Sequence, residues 1–133
     1  MKHYNVTAAI LVHDNQILCM QRPQGKFDYM DFKYEFPGGK VEAGESLEAA
    51  LSRELREELE IKINVKKSDY YMSVDYTYPD FSITLHSYMI HVMSRQFVMT
   101  EHVDFCWLNP DELLTLDWAP ADDPIVRRLM TNL

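Results

Sequence analysis

Long apolar runs are missing from this 133-residue chain, and cysteine is nearly so. No hydrophobic stretch approaches the ~18 residues of a membrane span, and no apolar segment of a secretory signal opens the sequence. The two cysteines, Cys19 and Cys106, cannot build a disulfide framework. Set in apolar strand-like runs, they are expected as buried thiols in a reducing compartment, the cytoplasm. Basic charge is scarce as well: 13 Lys and Arg against 21 Asp and Glu give a net charge of −8. That excludes the basic footprint a polymeric nucleic acid would need. Repeats, low-complexity tracts and linkers are absent. No Ser-His-Asp or Cys-His pattern supports covalent catalysis. The histidines, His3, His13, His86, His91 and His102, lack metal-ligand spacing and read as ordinary strand or loop residues. What remains, 47% hydrophobic residues, suffices for one core and a single domain over 1–133.

Acidic charge gathers between Gly39 and Ile61, in a segment whose second half has helical periodicity. At about 100° per residue, Leu47, Ala50, Leu51, Leu55 and Leu59 form one apolar arc. Glu54 and Glu58 fall inside that arc and Glu57 lies at its edge. A plain amphipathic helix puts glutamates on the other side. Three carboxylates at i, i+3 and i+4 repel one another, and a hard divalent cation is the economical remedy. Arg53, beside Glu57 on the wheel, could fork onto one carboxylate. A solvated helix laced with salt bridges is the bland alternative, but it leaves the inward glutamates unexplained. Ahead of the helix, Phe36-Pro37-Gly38-Gly39 signals a turn open to close backbone approach, and Ser46 is a plausible N-cap.

Strand-like runs cover 6–12 and 17–22, joined by a turn at Asp14-Asn15, then 61–66, 70–78 and 83–93, with a turn at Pro79-Asp80, and finally 105–108. Asn109-Pro110 caps a short helix and Asp123-Pro124 the last one. Strands with one helix in the middle and another at the end predict an α/β (α+β) sandwich on a mixed sheet.

The segment resembles the Nudix box: Gly39, Glu45, Arg53, Glu54, Leu55, Glu57, Glu58 and Ile61 all match its fixed positions. One position departs, since Glu60 stands where the box has its last glycine. A left-handed exit there would cost Glu60 about 1 kcal/mol, or else the exit is reshaped. Gln21-Arg22-Pro23, Glu35 to Lys40, Glu101-His102 and Ala119-Pro120-Ala121-Asp122 extend the similarity to the MutT branch, which sanitises nucleotide pools, and to CTP pyrophosphohydrolases in particular. The resemblance implies an α/β/α sandwich with a curved mixed sheet. It implies Mg²⁺ (or Mn²⁺) held by Glu54, Glu57, Glu58, the Gly38 carbonyl and Glu101, with Glu54 or Glu101 as general base. Glu45 and Arg53 would orient the carboxylates.

Expected substrate contacts are Arg22, Phe36, Gly38, Gly39, Lys40, Tyr78 and Asp122. Phe36 and Tyr78 could stack on a base, although strand aromatics are more often core. Asp122 stands where guanine-oxidation members carry an asparagine. Ionised, it would only accept hydrogen bonds, which suits an exocyclic amine; it could instead cap the last helix with Asp123. Phe81 occupies a place where an arginine is common. The resemblance thus implies cleavage of a nucleoside triphosphate to monophosphate and pyrophosphate, on (d)CTP, its 5-substituted forms or 8-oxo-dGTP. The partner is a small-molecule nucleotide, with no membrane, and the chain is a monomer or weak homodimer. Hydrolysis of ADP-ribose or diadenosine polyphosphate, or non-catalytic nucleotide sensing, are the rival readings.

Overall fold

The computed structural model describes residues 1–131, so the last two residues of the expected 1–133 domain lie outside it. Its strands are β1 (Lys2–His13), β2 (Gln16–Gln21), β3 (Tyr34–Glu35), β4 (Gly38–Lys40), β5 (Tyr70–Thr77), β6 (Phe81–His91) and β7 (Asp104–Leu108). Helix α1 spans Leu47–Leu59 and α2 spans Asp123–Thr131. The strands form one mixed sheet ordered β3-β2-β1-β6-β5, with β4 on β1 and β7 on β2. Among the strands of the described residues, β1 and β6 are the one pair that runs parallel; Tyr34 of β3 also makes an isolated parallel bridge to Trp118.

The centre of β1 is apolar at every position because both sheet faces are covered. Ala8, Ile10 and Val12 pack with Ile125, Val126 and Leu129 of α2 on one face. Ala9 and Leu11 pack with Leu51, Leu55 and Leu59 of α1 on the other. This is the expected sandwich. The turn at Asp14-Asn15 is a two-residue hairpin with both residues at positive φ, 49° and 64°, between the pairs Val12↔Ile17 and His13↔Gln16. That is the twist-matched hairpin turn, which Asp and Asn tolerate well. Cys19 and Cys106 face each other across β2 and β7 as free thiols, the first buried and the second half-buried. Among the described residues, no helix is long and apolar enough to cross a membrane.

The run 61–66 is not a strand. Its alternating pattern is genuine, but among the described residues no strand pairs with it; the Val65 N–H instead donates to Ser52 Oγ of α1 at 3.0 Å. The short helix after Asn109 is a 3₁₀ turn, Pro110–Thr115, in which Glu112 accepts from the Asn109 N–H.

Helix α1 starts at Ser46, whose hydroxyl accepts from the Ala49 N–H at 3.1 Å. It ends on Glu60 in the left-handed conformation, φ 54° and ψ 34°. The Glu60 N–H reaches the Arg56 carbonyl and the Ile61 N–H the Leu55 carbonyl, so the glycine-type exit is kept despite the glutamate. Glu60→Gly should therefore raise stability by ~0.5–1 kcal/mol in urea unfolding. An unchanged midpoint would mean that the exit carries no strain.

Candidate active site

The site begins where β1 changes partners. Val6 to Ala8 pair with β4, whereas Val12 and His13 pair with β2. Between them the Ala9 N–H donates to the Pro37 carbonyl at 2.7 Å, bringing the Phe36-Pro37 turn against β1. A Cβ on Gly38 would collide with the Thr7 carbonyl, and one on Gly39 would come within 2.5–2.7 Å of the Glu54 carboxyl. Gly38 is thus required by the sheet backbone, whereas a side chain at Gly39 would push the Glu54 carboxyl aside.

Helix α1 buries Ala50, Leu51, Leu55 and Leu59, and Glu58 with them. The Gly38 N–H donates to Glu58 Oε2 at 3.2 Å. Burial, then the charges of Glu35, Glu101 and Glu54, push the Glu58 pKa up to about 9. The nearness of the Glu101 carboxyl favours the protonated form of Glu58. Burial also raises Glu54, against the pull of Arg53.

Arg53 is the counter-charge. Its Nε and Nη2 fork onto Glu45 at 2.8 and 3.0 Å, while Nη1 reaches Glu54 at 2.9 Å and Glu57 at 3.1 Å. The carboxylate that takes the fork is therefore Glu45, at the start of the helix, with Glu57 held by a single bond. Glu45 is well placed because its own carboxylate also accepts from the Glu42 N–H, which closes the loop ahead of α1. Hydrogen bonding to Arg53 holds Glu45 down at about 2. Arg53 Nη2 also donates to the Lys40 carbonyl. The Lys40 ammonium lies 4.1 Å from the Tyr4 ring centroid.

A cleft of about 800 Å³ runs beside these groups. Gly38, Gly39, Lys40, Glu58 and Glu101 line it, as do Arg22, Phe36, Tyr78 and Asp122. Glu54, Glu57, Glu45 and Arg53 stand outside its lining as an adjoining ion network. Among the described residues, no three His, Cys, Asp or Glu side chains form a ready-made metal-ligating group. Arg53 draws Glu54 and Glu57 to itself, and Glu58 turns to Gly38 and Glu101.

The other part of the cleft is aromatic and acidic. Phe36 and Tyr78 are buried; Phe36 packs on Trp118 and Tyr78 stacks on Phe81, with centroids 4.8 and 5.0 Å apart. The Tyr78 hydroxyl accepts from the Ala121 N–H. Phe27 packs in turn on Phe81 at 5.3 Å. Asp122 is buried, and its Oδ1 accepts from the Phe36 N–H at 3.2 Å. It does not cap α2 by side chain; its backbone carbonyl receives the Ile125 and Val126 N–H groups. Burial and the charge of Glu35 hold its carboxyl well above the usual range, over the opposing pull of the Phe36 N–H and Arg22. The acceptor role expected of Asp122 is used within the protein, on the Phe36 N–H, and burial disfavours its charged form.

Two residues missed from sequence also belong here. Glu35 joins Arg22 Nη1 at 3.0 Å to His102 Nε2 at 2.9 Å, and both Glu35 and His102 line the cleft. His102, expected as an ordinary loop residue, is buried. The one sequence signal was position, Glu35 beside Phe36-Pro37 and His102 beside Glu101.

Residues 1–129 match the NUDIX domain family. The chain is 38% identical to the CTP pyrophosphohydrolase of Escherichia coli, over 98% of this chain and 93% of that protein. It is 30% identical to the 8-oxo-dGTP diphosphatase of the same organism, over 97% and 98%. The solution structure of MutT from methicillin-resistant Staphylococcus aureus superposes with a TM-score of 0.76 at 38% identity, covering 100% of both chains. With nearly its whole length matched, the chain belongs to the Nudix family, hydrolases that act on phosphorus anhydrides.

Proposed function

We propose that this chain is a Mg²⁺-dependent nucleoside triphosphate pyrophosphohydrolase that removes damaged or surplus nucleotides. It would convert a nucleoside or deoxynucleoside triphosphate and water to the monophosphate and pyrophosphate, on (d)CTP, its 5-substituted forms or 8-oxo-dGTP. One observation carries the reading: a single cleft joins the crowded carboxyls of Glu58 and Glu101 to the buried Asp122 and its aromatic neighbours.

Nudix hydrolases generally need divalent metal ions. The donor set here fits a hard cation. Glu58 is kept protonated by burial and by three neighbouring carboxylates, so a cation can take the place of that proton. The oxygens of Glu54, Glu57, Glu58, Glu101 and the Gly38 carbonyl suit Mg²⁺ or Mn²⁺ better than a softer ion. An ion held by these residues would supply positive charge for the phosphates and a more acidic water. Glu101 lines the cleft and Glu54 does not, so Glu101 is the base that accepts the water's proton. Arg53 and Glu45 hold Glu54 and Glu57 in place. At the other end, Tyr78, Phe36 and Phe81 would border the base, and Asp122 would meet its edge.

A panel of nucleotides with Mg²⁺, ranked by kcat/KM, tests this. Triphosphates should lead ADP-ribose and diadenosine polyphosphates by roughly 10²-fold or more, with pyrophosphate released. Preference for either of those two, or binding without turnover, would overturn the reading.

A further inference from the structure

Glu101 stands on a stretch without regular structure between β6 and β7, and its side chain is exposed. A base on such a stretch needs an anchor, because catalytic geometry tolerates little drift. Its neighbours supply three. The Thr100 hydroxyl and N–H both donate to the Glu58 carbonyl, at 2.7 and 3.2 Å. The Val103 N–H donates to the Gln21 carbonyl at 3.0 Å. His102, its side chain only 3% exposed, binds Glu35 through Nε2 at 2.9 Å. The N–H contacts of Thr100 and Val103 are backbone to backbone and resist side-chain variation; the Thr100 hydroxyl contact depends on one side chain and the His102 contact on two. Nδ1 of His102 has no hydrogen-bond partner, so Glu35 alone orients the ring. Glu35 is fixed from its other oxygen by Arg22.

We propose that His102, held by Glu35, is a positioning residue that sets Glu101 toward Glu58 across the cleft. This rests on the hydrolase reading above, in which Glu101 takes the water's proton. The Nε2–H donates to the Glu35 carboxylate, pins the ring beneath the chain, and leaves the preceding side chain turned out to the cleft. The pair spans 67 residues of sequence and ties the Glu101 stretch directly to the strand just before Gly38. His102 need touch neither substrate nor metal.

The test is a double-mutant cycle between His102→Ala and Glu101→Gln, with thermal melts to check folding. His102→Ala should lower kcat about tenfold to a hundredfold, the range for losing a group that orients a ligand, with KM little changed. Added to Glu101→Gln, it should cost less than about twofold more, because the side chain it positions has already lost its basicity. His102→Gln, which can still donate to Glu35, should recover most of the loss. Amide exchange in metal-free protein gives a readout independent of turnover: residues 100–103 should exchange faster in His102→Ala, and regions away from the cleft should not. An equal kcat loss in both backgrounds, or unchanged exchange at 100–103, overturns the positioning while leaving the hydrolase reading intact. Full turnover by Glu101→Gln removes Glu101 as the base and this inference with it.

Discussion

Glutamine in place of Glu58 is expected to cut Mg²⁺-dependent turnover roughly 10²-fold or more, yet to leave the metal-free protein more stable above neutral pH. The two effects share one cause. Glu58 lies buried with Glu35, Glu101 and Glu54 close enough to raise its pKa to about 9, from an ordinary value of 4.5. The folded chain holds a proton that the unfolded chain releases, so stability falls as pH rises from 4.5 toward about 9. Glutamine never ionises and keeps much the same shape, so it escapes that loss. At pH 8 without metal the variant should be the more stable by on the order of 2 kcal/mol, and near pH 4 the two should converge. Mg²⁺ should reverse the order, because binding to the folded state stabilises the wild type in proportion to its affinity. Urea unfolding at both pH values, with EDTA and with Mg²⁺, reads all four cases. Metal-free wild-type stability that is flat or rising across this range would contradict the crowded carboxyl, and unchanged turnover would remove Glu58 from the site.

Helix α1 was legible in sequence because its signals are local. The Ser46 cap, the leucine arc and the glutamates inside that arc all lie within one segment, and all reappear in the structure. Gly38 could be flagged in sequence, but not why it is needed: the Thr7 carbonyl enforces it from elsewhere in the chain. Pairing over long separations was out of reach. The first residues of β1, polar and unremarkable, are a strand because they run parallel to β6 from Lys2↔Phe81 onward. The run 61–66 fails as a strand for the converse reason, having the alternation but, among the described residues, no strand that pairs with it. Glu35 and His102 reveal their contact only once β3 and the stretch before β7 are adjacent. Asp122 shows the same limit in chemistry: residue type was readable, but the burial and the nearby Glu35 that raise its pKa were not.

Arg53→Ala is the second large effect, and its pH dependence runs the opposite way to that of Glu58. The Arg53 side chain is 16% exposed and serves Glu45, Glu54 and Glu57 at once, together with the Lys40 carbonyl. Removing it leaves partly buried carboxylates facing one another without a counter-charge, at a cost of about 2–3 kcal/mol. Turnover should fall about tenfold to a hundredfold, since Glu54 and Glu57 lose the group that aims them. Arg53→Lys keeps the charge but cannot fork onto Glu45 while reaching two further acids, so it should recover only part of either loss. In the wild type Glu45 is held at about 2, below its ordinary 4.5, chiefly by hydrogen bonds from Arg53. A depressed carboxyl contributes stability above pH 4.5 and loses it as pH falls toward 2. The gap between wild type and Arg53→Ala should therefore be full at pH 7 and narrower at pH 3. Paired urea titrations at the two pH values measure it. A gap independent of pH would mean that Arg53 acts through packing of its aliphatic stem, and that the ion network around Glu45 is incidental to the fold.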